Sequence, residues 1–205
     1  MSDKVQIHYK SANATEILSK EIEANIRTAL ESGKTDIVFV CIGTDRSTGD
    51  SLGPQIGSRI FGYENNGFFV YGTLENPVHA KNLEDTLKEI STRFQNPYVI
   101  AIDACLGKME SVGFITIGEG SIVPGAALKK QLPSVGNMFI TGIVNIGGYM
   151  DFVILQNTRL SVVMDMSAKI TSAVKRAVIK VIGRDTTYSP KGFNYDPDKA
   201  TETIL

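Results

Sequence analysis

Two aspartates lie in segments whose residue types suit hydrolytic chemistry. Asp50 belongs to the stretch CIGTDRSTGDSLGP at 41–54, which is rich in glycine and small hydroxyl residues and follows an apolar run. Asp103 comes near the end of a second apolar run, PYVIAIDA at 97–104. Burial at the rim of an apolar layer raises the pKa of a carboxyl group, and a second carboxylate raises it further. A pair that shares one proton can activate water with one member and donate a proton with the other.

The two acids can meet if their strands are neighbours in a parallel sheet. Chain direction brings the carboxyl ends of parallel strands to one edge, and ligands of open α/β sheets bind beyond that edge. Asp50 lies in the loop that leaves one predicted strand, and Asp103 ends another. We therefore predict that Asp50 and Asp103 converge to form a catalytic pair.

Each charged residue of these segments also has a structural interpretation. Asp50 can cap a helix or form a turn in a loop rich in glycine and serine. Asp103 can accept hydrogen bonds from the N–H groups of a neighbouring loop. Asp45 is interpreted as a turn residue. Arg46 can pair with a neighbouring acid, hold a substrate carboxylate, or remain solvated at the surface.

The glycine-rich loop does not have the pattern of a phosphate-binding P-loop. That pattern has one residue fewer between its two glycines than lies between Gly43 and Gly49, and it has a lysine where this chain has Asp50. A carboxylate at that position would repel a triphosphate. Nucleotide binding at this loop is therefore not expected.

The composition favours one globular unit over residues 1–205. The chain has 205 residues, of which 42% are hydrophobic, so it can bury a substantial core. Lys and Arg total 21 against 22 Asp and Glu, which gives no basic surface for nucleic acid. The polar start and the amphipathic segment after it predict neither a secretion signal nor a membrane span, so we expect a cytoplasmic protein. Cys41 and Cys105 are expected as reduced thiols.

Apolar periodicity predicts the order α-β-α-β-α-β up to Asp103. Asn13 and Glu16 have capping-box spacing at the start of the first helix, and Gly33 marks its end. The predicted helices cover 13–32, a short segment from Pro54, and 80–94, and the predicted strands cover 36–43, 67–73 and 97–104.

The second half of the chain departs from this alternation. A loop at 121–134 with proline and glycine is long enough to line a site, and the strands around it can form an antiparallel edge. The segment 148–157 is ambiguous between helix and strand. The remaining predictions are strands at 111–120 and 135–145, a long helix over 158–182, and an extended or disordered tail at 184–205.

Together these patterns predict an α/β fold of the three-layer αβα type. Each parallel crossover needs a covering helix, so the sheet has helices on both faces. We expect a mostly parallel, twisted sheet of about five strands, similar to phosphorylase/hydrolase-like folds.

Five stretches of the sequence together resemble the YyaC family of sporulation proteins. They are CIGTDRSTGDSLGP, GTLENPVHAKNL, VIAIDACLG, VPGAALKKQLPSVG and ITGIVNIGG, and the resemblance spans residues 36 to about 170. That family is similar to the germination protease of bacterial spores. It is more distantly similar to the endopeptidases that mature nickel hydrogenases, which have the HybD-like fold. These proteins share a three-layer αβα architecture.

The resemblance implies an aspartic-type peptidase. In the germination protease, an aspartate in a D-x-L-G-P motif and another in a strand-end D-A motif are held to be the catalytic pair. They correspond here to Asp50 in DSLGP and Asp103 in IDA. The implied activity is hydrolysis of peptide bonds in a small protein during sporulation or germination, without a cofactor. The implied location is the cytoplasm or the forespore. Substrate-binding roles are expected for Arg46, Pro124, Gly125 and Asn145.

A metal-dependent alternative comes from the hydrogenase-maturation relatives. They bind nickel with an acid at each of these positions and a histidine, so Asp50, Asp103 and His79 form the alternative ligand set for a divalent ion. In the relatives the histidine follows the second acid, whereas both histidines of this chain precede Asp103. No residue therefore matches the third ligand, and His79 can equally be a surface or capping residue.

Three further alternatives concern the class of protein. The chain can be a sporulation binding or regulatory protein on the same fold, because a retained site does not establish an activity. It can be a cysteine hydrolase that uses Cys105 and His79. An exposed apolar groove would imply a homodimer.

Overall fold

The computed structural model describes residues 4–61, 68–125 and 132–183, which form a six-stranded sheet with helices on both faces. The strands are β1 (Val5–His8), β2 (Asp36–Cys41), β3 (Phe68–Tyr71), β4 (Pro97–Gly107), β5 (Phe114–Glu119) and β6 (Met138–Ile146). The helices are α1 (Ala14–Glu31), α2 (Leu52–Phe61), α3 (Leu83–Arg93), α4 (Asp151–Gln156) and α5 (Leu160–Ile182).

The sheet is mostly parallel, and its strand order is β1-β5-β6-β4-β2-β3. Strands β6, β4, β2 and β3 run parallel, whereas β5 is antiparallel to β6 and β1 is antiparallel to β5. The predicted α/β class and the antiparallel edge are confirmed. The sequence analysis omits β1, because a four-residue segment with polar Gln6 and His8 becomes a strand only through its long-range pairing with β5.

The chain reverses its direction of travel across the sheet between β2 and β4. From β2 it passes through α2 to β3 at the sheet edge, and from β3 it returns through α3 to β4 on the other side of β2. The two crossover helices cover opposite faces of the sheet. The loops at the carboxyl ends of β2 and β4 therefore border a crevice, which is the usual ligand position in open α/β sheets.

Two apolar layers separate the sheet from its helices. Helices α1, α2 and α5 cover one face, and α3 covers the other together with a short strand pair at Ile122 and Val135. The predicted face of α1 is buried at Leu18, Ile22 and Ile26, although Leu30 in the same series is 37% exposed. Each fully buried side chain of this size contributes about 1.5–3 kcal/mol to folding.

Two glycines of α2 let this helix approach the ends of the strands closely. A Cβ atom on Gly53 would lie 2.1 Å from the carbonyl oxygen of Ile42, and one on Gly57 would lie 1.8 Å from that of Gly72. Both distances are too short for any side chain. Helix α2 is therefore held tightly against the carboxyl ends of β2 and β3.

The helix boundaries confirm some of the predicted signals and correct others. Asn13 is the N-cap of α1, but its side chain makes no capping hydrogen bond, so the predicted capping box is wrong. Gly33 follows the helix with a φ of 90°, as a stop signal requires. The segment 148–157, for which the sequence allowed either helix or strand, contains α4. This helix is preceded by Met150 in the left-handed conformation with a φ of 61°.

Several predictions lie wholly or partly outside the described residues. They are the tail at 184–205, the middle of the 121–134 loop and the extent of one domain over 1–205, and they stay predictions. Over residues 4–61, 68–125 and 132–183, no helix combines the length and apolar character that a membrane span requires. Cys41 and Cys105 are free thiols, as expected.

Candidate active site

Asp50 lies in a short 3-10 turn, Gly49–Ser51, directly before α2. The N–H of Thr44 donates to the carbonyl oxygen of Asp50 at 3.2 Å. Gly43 has a φ of 137°, and a Cβ there would lie 1.9 Å from the same oxygen. The loop after β2 thus folds back onto the turn, and it can do so only with glycine at position 43.

Asp103 lies on β4 one position beyond the end of β2. The last register pair between these strands joins Cys41 to Ile102, whereas β4 continues alongside β6, where Thr141 pairs with Asp103. The loop that carries Asp50 therefore borders Asp103 on the side where β2 has ended. Asp103 is only 7% exposed, so its carboxyl group is largely removed from water.

The two carboxyl groups influence each other electrostatically, and their catalytic role stays a prediction. Burial raises the pKa of Asp103 well above its ordinary value, and the charge of Asp50 raises it further, while the N–H of Ala104 opposes the shift. Burial also raises the pKa of Asp50, against a hydrogen bond from the backbone of Thr44 and the electrostatic influence of His79. Asp50 is the less buried of the two acids, and its negative charge opposes the loss of the proton from Asp103.

His79 enters this region through the segment between β3 and α3. A bridge between Ile42 and Val78 and a 2.8 Å hydrogen bond from the N–H of Gly43 to the carbonyl oxygen of Val78 fix that segment beside the Asp50 loop. The backbone N–H of His79 donates to Oδ1 of Asn82 at the start of α3. His79 therefore stabilises a turn through its backbone, which agrees with its structural interpretation. Its electrostatic influence also opposes the rise in the pKa of Asp50.

The arrangement of Asp50, Asp103 and His79 does not fit the alternative of a bound divalent ion. In the described ranges, no group of three or more His, Cys, Asp or Glu side chains is arranged to hold a metal ion. Asp50, Asp103 and His79 all fall within these ranges, so they do not form such a group. The missing third ligand noted in the sequence is thus not supplied from elsewhere in the described part of the chain.

Cys105 follows Asp103 on β4, but its surroundings do not favour a thiolate. Burial and the charge of Asp103 raise the pKa of Cys105 to about 11, against a hydrogen bond with Thr141. The thiol is therefore protonated at neutral pH, whereas a nucleophilic cysteine needs a lowered pKa. This environment argues against the cysteine hydrolase alternative.

The four expected substrate-binding residues have different surroundings. Arg46 is exposed beside the Asp50 turn, and its side chain forms no ion pair with the described residues. Asn145 is half-buried at the end of β6, where its amide donates to Thr158 at 3.2 Å. Asn145 thus joins β6 to the turn between α4 and α5.

The other two residues, Pro124 and Gly125, follow the bridge between Ile122 and Val135. Pro124 is buried and Gly125 is half-buried. Neither is hydrogen-bonded to the aspartates in the described structure. The proposed substrate roles of all four residues remain predictions.

Two open surfaces lie at segments that neighbour the Asp50 turn, and neither Asp50 nor Asp103 lines the first of them. A cleft of about 390 Å³ at the carboxyl end of β3 is lined by His79 together with Phe61, Val78 and Asn82. On the other side, α4 contacts the Asp50 turn. The segment around the start of α4 exposes large apolar side chains, namely Tyr149, Met150, Phe152 and Val153.

Sequence analysis missed several polar residues that lie around the pair. Thr44 donates to Asp50 through its backbone, which no side-chain motif indicates. Thr141 reaches the site only because β6 pairs with β4. Ser51 and Gln55 are hydrogen-bonded to each other, and their four-residue spacing on one helix face is a signal that the sequence does contain.

Comparisons with known proteins place the whole of this site within one family. Residues 6–173 match the family described as "Protein of unknown function (DUF1256)". The chain is also 48% identical, over 164 residues, to the "Uncharacterized protein YyaC" of Bacillus subtilis (strain 168). That match covers 80% of this chain and 78% of the relative, and it agrees with the resemblance found in the sequence. The chain belongs to the DUF1256 family.

Proposed function

We propose that the chain is an endopeptidase in which Asp50 and Asp103 share one proton. The observation that carries the proposal is that the buried Asp103 lies on β4 just beyond the end of β2, where the turn that carries Asp50 packs against β4. The raised pKa of Asp103 agrees with this arrangement. A protonated and an ionised carboxyl side by side are the groups that an aspartic-type peptidase requires.

In the proposed reaction, the ionised Asp50 takes a proton from water as the water oxygen bonds to the peptide carbonyl carbon. Asp103 gives its proton to the carbonyl oxygen. When the intermediate collapses, the C–N bond breaks and the leaving amine takes the proton held by Asp50. A hydroxyl proton of the intermediate returns to Asp103, so both carboxyl groups regain their starting states.

Surfaces near the Asp50 turn support a peptide substrate. The cleft beside His79 and the exposed apolar side chains beside the Asp50 turn are suited to an extended chain with apolar residues. The exposed Arg46 is free to meet a carboxylate of that chain. The resemblance to the germination protease suggests a small spore protein as substrate, and it suggests the cytoplasm or the forespore as the place of action.

Cleavage assays with isosteric variants test the proposal. Purified protein is incubated with small spore proteins and with a library of cellular peptides, and mass spectrometry detects the products. We expect both Asp50→Asn and Asp103→Asn to lower the cleavage rate by at least about 100-fold, because each removes one acid–base group. The control Asp45→Asn, an exposed acid of the same loop, should cleave at the wild-type rate.

The pH dependence provides a second readout of the same assay. Activity should rise with pH as Asp50 ionises and fall as Asp103 ionises, since the reaction needs one group in each state. Cleavage that survives in Asp103→Asn would contradict the proposal. A folded wild-type protein that cleaves nothing but captures a specific protein would favour the binding or regulatory alternative.

A further inference from the structure

Buried hydrogen bonds hold the turn that carries Asp50 from the side of α2. The hydroxyl of Ser51 donates to the carbonyl oxygen of Thr48 at 2.7 Å and thereby closes the turn around Asp50. The side-chain amide of Gln55 donates to the same hydroxyl of Ser51 at 2.9 Å. Ser51 and Gln55 are 6% and 7% exposed, so these bonds are shielded from water.

The chain of hydrogen bonds continues from α2 to α5. The hydroxyl of Ser167, which is fully buried, lies 2.9 Å from the carbonyl oxygen of Met164 and 3.2 Å from Oε1 of Gln55, and its single proton can be donated to one of them at a time. The guanidinium of Arg59, one turn further along α2, donates to Ser167. The donors of Ser51 and Gln55 thus each face an acceptor nearer to the Asp50 turn, and Ser167 lies behind them against the amide oxygen of Gln55.

Stability alone does not account for a polar side chain at position 55. The side chain of Gln55 lies on the face of α2 that packs against α5, beside an apolar layer. An apolar side chain of equal size there would bury its surface without desolvating an amide. What the amide adds is direction, since its oxygen and nitrogen each have one defined partner.

The opposite side of the turn is held independently. There the N–H of Thr44 donates to the carbonyl oxygen of Asp50, and Gly43 lies directly against that oxygen. With Ser51 and Gln55 on the other side, the backbone on both sides of Asp50 is restrained. The turn therefore determines where the Cα–Cβ bond of Asp50 points, from which the carboxyl group extends.

We propose that Ser51 and Gln55 are positioning residues, which orient the turn so that the carboxylate of Asp50 faces Asp103. This inference rests on the proposed function and extends it, because the two residues act on the reaction through Asp50 and not on the substrate. Ser167 and Arg59 fix the amide of Gln55 in the orientation that the turn requires.

The test is a carbon-13 NMR titration of the aspartate carboxyl groups, which needs no substrate. Asp50→Asn removes the charge beside Asp103 and should lower the titration midpoint of Asp103. If Gln55 orients Asp50, Gln55→Met should lower that midpoint by at least about half as much. Ser51→Ala should act in the same direction, and Ser51→Thr, which keeps the hydroxyl, should restore the wild-type midpoint.

The design includes a matched control and an account of neighbouring charges. Ser19→Ala removes a buried hydroxyl on α1 that has no hydrogen-bond partner in the described residues, and it should leave the midpoint unchanged. His79 and Cys105, the other titratable groups beside the pair, are retained in every variant. Thermal unfolding verifies that each variant is folded. Ser51→Ala, the smaller change, serves if Gln55→Met does not fold.

The outcomes separate this inference from the proposed function. An unchanged Asp103 midpoint in folded Gln55→Met and Ser51→Ala, with a lowered one in Asp50→Asn, overturns the positioning role alone. An unchanged midpoint in Asp50→Asn overturns the pair and both proposals with it. If the midpoints shift as expected but the wild type cleaves no peptide, the positioning role stands and the peptidase proposal fails. With an active wild type, Gln55→Met should lower kcat by about 10- to 100-fold while KM stays constant.

Discussion

At the scale of single residues, the burial that would make Asp103 a proton donor also lowers the stability of the folded protein at neutral pH. The residue is 7% exposed and its carboxyl group is influenced by a second acid, so its ionisation is opposed in the folded state. A raised folded pKa means that the folded protein binds this proton more tightly than the unfolded chain does. The corresponding stability is fully present below the ordinary aspartate pKa of about 3.9 and is lost as pH rises through the raised value.

We therefore predict that Asp103→Asn stabilises the protein at neutral pH. The amide removes the cost of ionisation, and its oxygen can still accept the N–H of Ala104. The free energy of unfolding at pH 7 should increase by about 1–3 kcal/mol, and the gain should disappear below about pH 4. Denaturant unfolding at several pH values measures this difference.

The control for this measurement is Asp45→Asn, because Asp45 is exposed. It should show no gain that depends on pH. A stabilisation of Asp103→Asn that is equal at pH 4 and pH 7, or a loss of stability at pH 7, would contradict the account of Asp103 as a buried, proton-retaining acid.

At the scale of elements, the close packing of α2 determines where the Asp50 turn lies. Gly53 and Gly57 bring this helix into contact with the backbone at Ile42 and Gly72, and the turn directly precedes the helix. Any displacement of α2 away from the sheet would also move Asp50 relative to β4. The glycines of this helix therefore contribute to the site although they contain no reactive group.

Gly57→Ala tests this coupling between packing and the site. Alanine is favoured over glycine within a helix, so a loss of stability isolates the steric clash with the carbonyl oxygen of Gly72. We expect the free energy of unfolding to fall by about 2–3 kcal/mol, and the Asp103 midpoint to shift toward that of Asp50→Asn.

A second glycine provides the control. Gly33 has a φ of 90° with open space around its Cβ position, so Gly33→Ala should cost only about 1 kcal/mol from backbone strain. It should not alter the Asp103 titration. An equal loss in both variants would show that the close approach of α2 is not what makes position 57 sensitive.

At the scale of the whole molecule, the strand order brings two acidic groups to one crevice. The reversal between β2 and β4 brings Asp50 and Asp103 together, while His79 arrives from the neighbouring segment after β3. The antiparallel strands β5 and β1 extend the sheet on the far side of β6 and leave this crevice unchanged. The architecture thus suits acid–base chemistry between carboxyl groups.

We predict that divalent nickel does not stabilise the folded protein. An ion at 100 times its dissociation constant would add about 2.7 kcal/mol of stability and raise the unfolding temperature by several degrees. Because the described donors form no group of three, we expect the same unfolding temperature with nickel and with a chelator. A rise that His79→Ala abolishes would instead support the ligand set of Asp50, Asp103 and His79.

The sequence by itself determined the α/β class and most of the elements. It also indicated that two aspartates lie at the same edge of the sheet. These features are local, because a strand or helix is indicated by the period of its own apolar residues. Chain direction then places strand-end acids such as Asp50 and Asp103 at one edge of a parallel sheet. The same reasoning failed for β1 and for the capping box at Asn13, where the outcome depends on partners outside the segment.

Only the tertiary structure decided which groups meet and how deeply they are buried. The neighbourhood of β2 and β4 brings Asp50 within reach of Asp103, and the packing of α2 against α5 joins Gln55 to Ser167. Burial and a neighbouring charge determine the pKa of Asp103, and both arise from residues distant in the chain. The physical reason is that desolvation and side-chain hydrogen bonding depend on three-dimensional distance, which no periodic pattern along the sequence contains.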